Sequence, residues 1–240
     1  MEKLPVVCAV TCSKGRHSLL ERVVGIMLKQ DYKGKIYHLI FNNSSTEQKL
    51  AEGLDTENIK FILVNQDKYS KTGEPYSEIN QIFEDAISFV PADAEVITFT
   101  DDDDLYLENH ISEGAKGYTQ ALNLNKLSYK PYYSWMDINE GREKVNNMCE
   151  PSIFVFKDFI QRIGFEKHSA AYHHKWINEL KDNDLWYEPL EGIPTFIYQW
   201  VGGVFHISGD GDNPDNLKNL RNFEQDEGDQ IITPWDIVER

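Results

Sequence analysis

The sequence predicts an α/β protein with a mostly parallel central sheet flanked by helices, followed by a smaller mixed region. In the first half of the 240 residues, short runs rich in Val and Ile alternate with amphipathic stretches at helical spacing. Each apolar run ends in a polar loop. Because a strand, a helix and a second strand form a right-handed βαβ unit, these loops are expected to open on one edge of a parallel sheet. Residues 1–120 and 121–240 are predicted to be two halves of one continuous domain.

The predicted elements follow from these patterns in chain order. Four strands are predicted, "LPVVCAVTC" (4–12), "KIYHLIFNNSS" (35–45), "IKFILVNQD" (59–67) and "AEVITFTDDDD" (94–104). Helices are predicted at residues 17–32, with Ser18 as the cap, and at residues 75–90 and 109–124. The alternation then weakens, and the clearest later elements are the strand "SIFVF" (152–156), a helix at 168–183 and a strand at 192–200.

The composition excludes several classes of protein. The 24 basic and 40 acidic residues give a net charge of −16, which argues against a broad basic face that binds nucleic acid phosphates. The three cysteines form no CxxC pair and are too few for a disulfide framework, so a reducing compartment is expected. No run of about 18 apolar residues is present. We therefore expect a soluble cytoplasmic protein with no membrane association and no evident protein partner.

Four consecutive aspartates, Asp101–Asp104, follow the fourth predicted strand. Ligands of open α/β sheets bind at this edge, and crowded carboxylates repel one another unless a positive charge compensates them. Mn²⁺ or Mg²⁺, with oxygen ligands and substrate phosphates, would offset that repulsion, whereas the ligand pattern of an EF-hand is missing. A solvated turn or an acidic helix N-terminus is the alternative interpretation.

Four segments in this order resemble the nucleotide-sugar half of family 2 glycosyltransferases of the GT-A fold. They are "VTCSKGRHSLLERVVGIMLKQDY", "HLIFNNSS", "GEPYSEINQIFEDA" and "VITFTDDDDLYLENHI". The Gln-x-Tyr sequence of the family is matched by Gln30-Asp31-Tyr32, and its acidic strand end with the following helix start is matched by residues 101–110. The resemblance covers about residues 5–120 and continues more weakly through "EPSIFVFKDFIQRIGF".

The resemblance implies a hexosyl- or pentosyltransferase that uses a nucleoside diphosphate sugar, a UDP-sugar by preference. Residues 1–120 would bind this donor, and residues 121–240 would shape the acceptor site and a C-terminal lid. In the Asp-x-Asp motif, Asp103 is the expected metal ligand, and His206 is expected to be a second one. The implied donor-binding residues are Thr11, Lys14, Arg16, Asn42, Asn43, Asn80, Asp101 and Asp102. Asp104 is included among the predicted catalytic residues, because the motif can be aligned with a run of four aspartates in two ways that differ by one position.

The chain departs from the family at three places. The sequence at residues 42–45 is Asn-Asn-Ser-Ser, where the family has an Asp-Asp-Gly-Ser turn for the base, and Ile79 replaces the Arg of an Arg-Asn pair. A diphosphate would then need another cation, for which the candidates are Lys14, Arg16, Lys68 and Lys71.

The third departure concerns the catalytic base. Inverting members carry a Glu-Asp pair after the "GF" segment, and this pair is missing here. His173 and His174 lie near that place and are the predicted bases, since histidine accepts a proton near neutral pH. Glu166 is a third candidate, and a retaining mechanism, which needs no such base, is the alternative.

The acceptor is left open by the sequence. It is expected to be a glycan, a small molecule or, since the "DDDDLYLENHI" segment also resembles phage glycosyltransferases, a hydroxymethylated pyrimidine in phage DNA. Two other functions are kept as alternatives. One is a nucleotidyltransferase, which also has aspartates at strand ends, and the other is a non-catalytic module that binds a nucleotide or sugar.

Overall fold

The computed structural model describes most of the chain up to residue 199. The described residues are 3–13, 16–44, 46–50, 53–66, 73, 76, 79–138, 141–147, 150–166 and 173–199. The candidate residues Lys14, Lys68, Lys71 and His206 lie outside this set, as does the predicted lid.

Ten strands are present in the described part of the chain. They are β1 (Val7–Ser13), β2 (Ile36–Asn42), β3 (Ile59–Asn65), β4 (Val96–Phe99), β5 (Leu105–Tyr106), β6 (Ser128–Tyr129), β7 (Tyr133–Ile138), β8 (Gly141–Asn146), β9 (Phe154–Phe156) and β10 (Phe196–Gln199). The helices are α1 (His17–Leu28), α2 (Ile79–Ile87), α3 (His110–Asn123), α4 (Lys157–Ile163) and α5 (His174–Asp182). Helix α1 has no side-chain cap, and Ser18 lies inside its first turn, so its prediction as the cap is wrong. None of the described helices is long and apolar enough to cross a membrane.

The central sheet has the strand order β3-β2-β1-β4-β9-β6. The first four strands are parallel, and β9 is antiparallel to both of its neighbours. The chain leaves β1 towards β2 on one side and later inserts β4 on the other side. This reversal opens a crevice at the carboxyl ends of β1 and β4, which is where ligands of open α/β sheets bind.

A second sheet, in the order β5-β10-β7-β8, was not predicted from the sequence. Strand β10 is antiparallel to β5 and parallel to β7. Strand β5 has two residues, and most side chains of β8 are exposed, so neither strand has the apolar run that indicates a buried strand. The pairing of Ile197 with Leu105 brings the end of the described chain next to the residues that follow the aspartate run.

Helices cover both faces of the central sheet. Residues of β4 alternate between these faces, because successive side chains of a strand point in opposite directions. Phe99 packs with α2 and α5, with ring centroids 5.3 Å from Phe83 and 6.1 Å from Trp176. Val96 packs on the other face with Ile111 and Tyr118 of α3. Full burial of each such large side chain stabilises the fold by about 1.5–3 kcal/mol.

Two glycines allow α3 to approach the sheet closely. A Cβ atom on Gly114 would lie 2.0 Å from the ring of Phe154, and one on Gly117 would lie 2.4 Å from the ring of Tyr129. Any larger residue at these positions would push α3 away from β6 and β9.

The Gln-x-Tyr sequence at the end of α1 makes structural contacts. Gln30 Nε2 donates a hydrogen bond to the carbonyl of Leu107 at 2.9 Å, and Gln30 Oε1 accepts one from the amide of Ile111 at 2.9 Å. The hydroxyl of Tyr32 donates to the carbonyl of Pro5 at 2.6 Å. The two bonds of Gln30 fix the segment between β5 and α3, shortly after the aspartate run, while that of Tyr32 holds the residues before β1.

Candidate functional site

The aspartate run lies at the crevice between β1 and β4. Strand β4 ends at Phe99, paired with Val10 of β1, and the amide of Thr100 donates to the carbonyl of Val10 at 2.9 Å. Asp102 and Asp104 are fully buried, and Asp103 is 8% exposed. Burial of three carboxylates contradicts the interpretation of the run as a solvated turn, since buried charges require compensation.

Arg16 supplies part of this compensation. It precedes α1, and its Nη1 donates to Asp103 Oδ2 at 3.1 Å while its Nη2 forms a salt bridge with Asp102. Burial raises the pKa of Asp102 to about 6, against the opposing effect of Arg16. Burial also disfavours the charged form of Arg16, but Asp102 and Asp103 raise its pKa above the ordinary value. These two contacts therefore hold Arg16, a predicted donor-binding residue, against the aspartate run.

Arg22 is a buried residue of α1 that the sequence reasoning missed. Its Nη1 donates to Gln199 Oε1 at 2.7 Å, and its Nη2 donates to the carbonyl of Asp102 at 2.9 Å and reaches that of Asp104 at 3.5 Å. The amide of Gln199 in turn donates to Asp104 Oδ1 at 3.1 Å. Burial lowers the pKa of Arg22, and Asp103 is the largest opposing effect.

These bonds connect α1, the aspartate run and β10. A signal for Arg22 is present in the sequence, because Arg22 shares the apolar face of α1 with Leu19, Val23 and Ile26, all of which are buried. A basic residue on such a face requires a partner in the core. The partner Gln199 is 177 residues away, and no local pattern points to it.

Three aspartates of the run form a group that could hold a metal. Asp101, Asp103 and Asp104 each bring one carboxylate oxygen within 4.8 Å of the others. Ligands of Mg²⁺ lie about 2.0–2.1 Å from the ion, so a small contraction of this group would allow binding. Hard carboxylate oxygens are also the donor type that Mg²⁺ and Mn²⁺ prefer. The group therefore fits a divalent cation, and Asp102 is outside it.

Thr11, predicted to bind the donor, lies in a buried polar cluster. Its hydroxyl donates to the carbonyl of Thr100 at 2.7 Å and lies 2.9 Å from His38 Nε2. Burial lowers the pKa of His38 to about 3, so this imidazole is neutral at pH 7. The cluster connects β1, β2 and Thr100, the residue directly before the aspartate run.

Asn42 and Asn43, predicted to contact the base, shape the loop after β2. Asn42 Nδ2 donates to the carbonyl of Thr46 at 2.8 Å and to Asn65 Oδ1 at 2.9 Å. The amide of Asn43 donates to the carbonyl of Ser13 at 2.7 Å. The contact of Asn43 with Ser13 joins the ends of β1 and β2, on the edge of the sheet where the aspartates lie.

Asn80 connects α2 to the segment that follows α4. Its Nδ2 donates to the backbone carbonyl of Glu166, and its Oδ1 accepts from the amide of Gln81 at 2.9 Å. Asn80 is 3% exposed. This contact fixes the backbone of Glu166, the third candidate for the base.

The two candidate histidines lie at the start of α5 in different surroundings. His173 is buried, with its ring 6.3 Å from that of Trp176, which is itself 6.1 Å from Phe99 at the end of β4. His174 is exposed, and its side chain lies in the wall of a cavity of about 410 Å³. His173 thus packs against the core beside Trp176, while His174 lines the cavity.

Comparisons with known proteins give a structural likeness. No protein-family model matches the chain, and no match is found among curated proteins. The structure of residues 1–349 of TarS from S. aureus has a TM-score of 0.57 and 11% identity, covering 94% of this chain and 66% of that one. The same fragment in complex with UDP has a TM-score of 0.58 and 12% identity, covering 94% of this chain and 67% of that one. A longer TarS structure is matched over 92% of this chain and 43% of its own length, with a TM-score of 0.57 and 12% identity.

The likeness to TarS shows the fold. At this level of identity it carries no residue-by-residue assignment. The predicted α/β fold, with a mixed sheet of mostly parallel strands flanked by helices, is confirmed by the structure and by this likeness. This chain spans about two thirds of the TarS fragment. An activity like that of TarS is therefore a proposal for this chain.

Proposed function

We propose that this protein is a metal-dependent glycosyltransferase that uses a nucleoside diphosphate sugar, a UDP-sugar by preference. The observation that carries the proposal is the group of three carboxylates at the crevice of a sheet whose fold is similar to that of TarS, a protein solved with UDP. The division into a donor half (1–120) and an acceptor half (121–240) is part of the same proposal, as is membership of family 2 or of a phage-type group.

The four aspartates of the run have different roles in this proposal. Asp103, with Asp101 or Asp104, holds Mn²⁺ or Mg²⁺, and Asp101 also contacts the donor. The ion, when bound, neutralises negative charge on the departing diphosphate. Asp102 is a positioning residue, since its carboxylate is fully buried and forms a salt bridge with Arg16. The contact of Asp102 with the donor, predicted from the sequence, stays a prediction.

Arg16 has a second task when the donor is present. Transfer of the sugar builds positive charge at the anomeric carbon and negative charge on the diphosphate. A guanidinium at the crevice, oriented by Asp102 and Asp103, stabilises that negative charge without reorganisation. Asn42 and Asn43 can donate to and accept from a base edge at the neighbouring strand end.

The catalytic base and the acceptor remain predictions from the sequence. His173 and His174 are the candidates for an inverting mechanism, with Glu166 as the third, and a retaining mechanism is the alternative. His206 as a further metal ligand also stays a prediction. The acceptor is a glycan, a small molecule or a modified pyrimidine of DNA.

Thermal unfolding with nucleotides and metal tests the proposal. UDP, other nucleoside diphosphates and Mn²⁺ are added to the parent and to Asp103→Asn, Asp102→Asn and the control Asp55→Asn, which changes an exposed carboxylate paired with Lys60. Ligand at about 100 times its Kd stabilises by about 2.7 kcal/mol, which raises the Tm by about 5–11 °C for a chain of this size. We expect this shift in the parent and in Asp55→Asn, and its loss in Asp103→Asn. Asp102→Asn should lose stability while keeping a metal-dependent shift.

The absence of a shift with every nucleoside diphosphate would count against donor binding. Release of UDP from a UDP-sugar without acceptor separates an enzyme from a non-catalytic module, because a module would only bind the donor. Release of pyrophosphate from a nucleoside triphosphate and a sugar phosphate would instead indicate a nucleotidyltransferase.

A further inference from the structure

A second candidate ligand site lies in the cavity beside α5. Its volume of about 410 Å³ is within the range of roughly 300–1,000 Å³ that is typical of ligand pockets. One wall is formed by α5, and the others are formed by the end of β8, the segment after β6 and the segment that follows α5. None of the four aspartates lines this cavity.

A network of bonds fixes an aromatic ring in the cavity wall. Lys130, whose side chain is 9% exposed, lies with its Nζ 3.0 Å from Glu188 Oε1. Trp186 Nε1 donates to the other oxygen, Glu188 Oε2, at 2.9 Å. Both carboxylate oxygens are therefore engaged, and the indole is held in one orientation. A fixed aromatic ring is a common surface for the apolar face of a sugar.

Lys181 gives the cavity an additional positive charge. Its Nζ lies 4.9 Å from the centroid of the Trp186 ring, which places the ammonium group at the wall. Glu188 is the only acidic residue that lines the cavity within the described chain, and Lys130 pairs with it. An excess of positive charge is unusual on a chain of net charge −16, and it favours a ligand with a negative group.

Two amide side chains supply hydrogen-bonding groups. Asn146 and Asn178 are exposed and line the cavity, and neither side chain makes a hydrogen bond with any described residue. An amide can both donate to and accept from a hydroxyl group. His174, one of the candidate bases, lines the same cavity.

We propose that this cavity binds an anionic saccharide, a sugar that carries a phosphate or a carboxylate. The sugar ring packs on Trp186, its hydroxyl groups bond to Asn146 and Asn178, and its negative group pairs with Lys181. If the proposed function holds, this saccharide is the acceptor, and it lies in reach of His174. Binding itself does not depend on the proposed function.

Calorimetric titration of the full chain tests the assignment. The probes are glucose 6-phosphate, glucuronate, glucose and inorganic phosphate, so that the two anionic groups and the sugar are separated. We expect one or both anionic sugars to bind at least tenfold more tightly than glucose and than phosphate. Lys181→Gln should weaken that binding at least tenfold, and Asn178→Ala should weaken binding of both anionic and neutral sugars. The matched control is Lys116→Gln, which changes an exposed lysine of α3 and should leave binding unchanged.

The outcomes separate this proposal from the proposed function. Equal binding of glucose 6-phosphate and glucose, or full binding by Lys181→Gln, overturns the anionic saccharide assignment. Phosphate that binds as tightly as glucose 6-phosphate shows a simple anion site and also overturns it. UDP titrated into the same variants is the second readout. Saccharide binding without UDP binding in the parent contradicts the proposed function alone, while UDP binding without saccharide binding contradicts the cavity alone.

Discussion

Replacement of Arg22 by Met tests the role of the buried network behind the aspartate run. The side chain of Met is unbranched, apolar and shorter than that of Arg, so it fills the volume of the Arg22 methylene groups without donating hydrogen bonds. The substitution leaves the carbonyl of Asp102 and Oε1 of Gln199 without their donor, and it also removes the longer contact with the carbonyl of Asp104. We expect a loss of both stability and metal-dependent nucleotide binding.

The magnitude follows from the number of buried acceptors left without a partner. Each unpaired acceptor costs about 1–3 kcal/mol. Part of this loss is recovered, because burial of the guanidinium is itself unfavourable and the variant no longer buries it. A net loss of about 3 kcal/mol is expected. For a chain of this size that lowers the Tm by about 6–12 °C.

Thermal unfolding followed by circular dichroism measures the change. The matched control is Arg162→Met, because Arg162 is exposed on α4 with its guanidinium carbon 5.5 Å from the ring of Phe159. An exposed contact of this kind contributes about 0.5–1 kcal/mol, so the control should lower the Tm by no more than about 4 °C. A Tm of Arg22→Met equal to that of the control would refute the reasoning. Unchanged UDP binding in the presence of Mn²⁺, despite the lower Tm, would show that the network supports the fold alone.

Three further predictions concern the positions that support the site. Burial holds the pKa of His38 at about 3, below its ordinary 6.5, so the unfolded chain binds more protons and stability falls as the pH drops from about 6.5 towards 3. His38→Asn should reduce this fall by up to about 1.4 kcal/mol per pH unit, measured from urea midpoints, and an unchanged slope would contradict the assignment. Gly114→Ala should lower the free energy of unfolding by about 1–3 kcal/mol, because its Cβ atom would clash with Phe154. The control Gly25→Ala, whose Cβ atom would have nothing within 4 Å, should raise it by about 0.5–1 kcal/mol. Effects of the same sign for the two variants would contradict the packing of α3. Gln30→Leu leaves the amide of Ile111 unpaired, while the carbonyl of Leu107 keeps the bond from the amide of His110. It should lower stability by about 1–3 kcal/mol in the same urea assay, and an unchanged stability would be the contrary result.

The location of the site could be predicted from local sequence patterns. Each parallel strand that forms the crevice is a short apolar run, and the run of aspartates follows one of them directly. Strand polarity then places Asp101–Asp104 beside the end of β1, as the structure shows. No tertiary information was needed for this step, because right-handed crossovers put consecutive strand ends on the same edge.

The second sheet could not be predicted in the same way. Strand β5 has two residues and pairs with β10, which lies about 90 residues later in the chain. Its stability comes from this pairing and from the packing of Tyr106 against Phe196, with ring centroids 5.5 Å apart. Such contacts depend on the folded chain, so a window of sequence around β5 contains no sign of them.

The contacts of Thr11 and Asn42 could not be predicted from their residue types and positions. Thr11 and Asn42 lie at strand ends near the crevice, as expected, but the hydrogen bonds of both side chains go to other parts of the chain. A polar residue at a strand end can bind a ligand or satisfy the backbone of a loop, and the residue type is the same in both cases. The two roles become distinct only when the neighbouring loops are in place.

The surroundings of the four aspartates explain why the run is longer than a metal site needs. Asp101, Asp103 and Asp104 can offer oxygens to one ion, whereas the carboxylate of Asp102 is fully buried and forms a salt bridge with Arg16. Asp103 belongs to both arrangements, because Arg16 also donates to its second oxygen. Under the proposed function, a bound cation and Arg16 would therefore share Asp103, while the salt bridge with the buried Asp102 would keep the guanidinium in place beside the ion. A run of four aspartates would thus suffice to place two positive groups, a cation and Arg16, side by side at the crevice through one shared carboxylate.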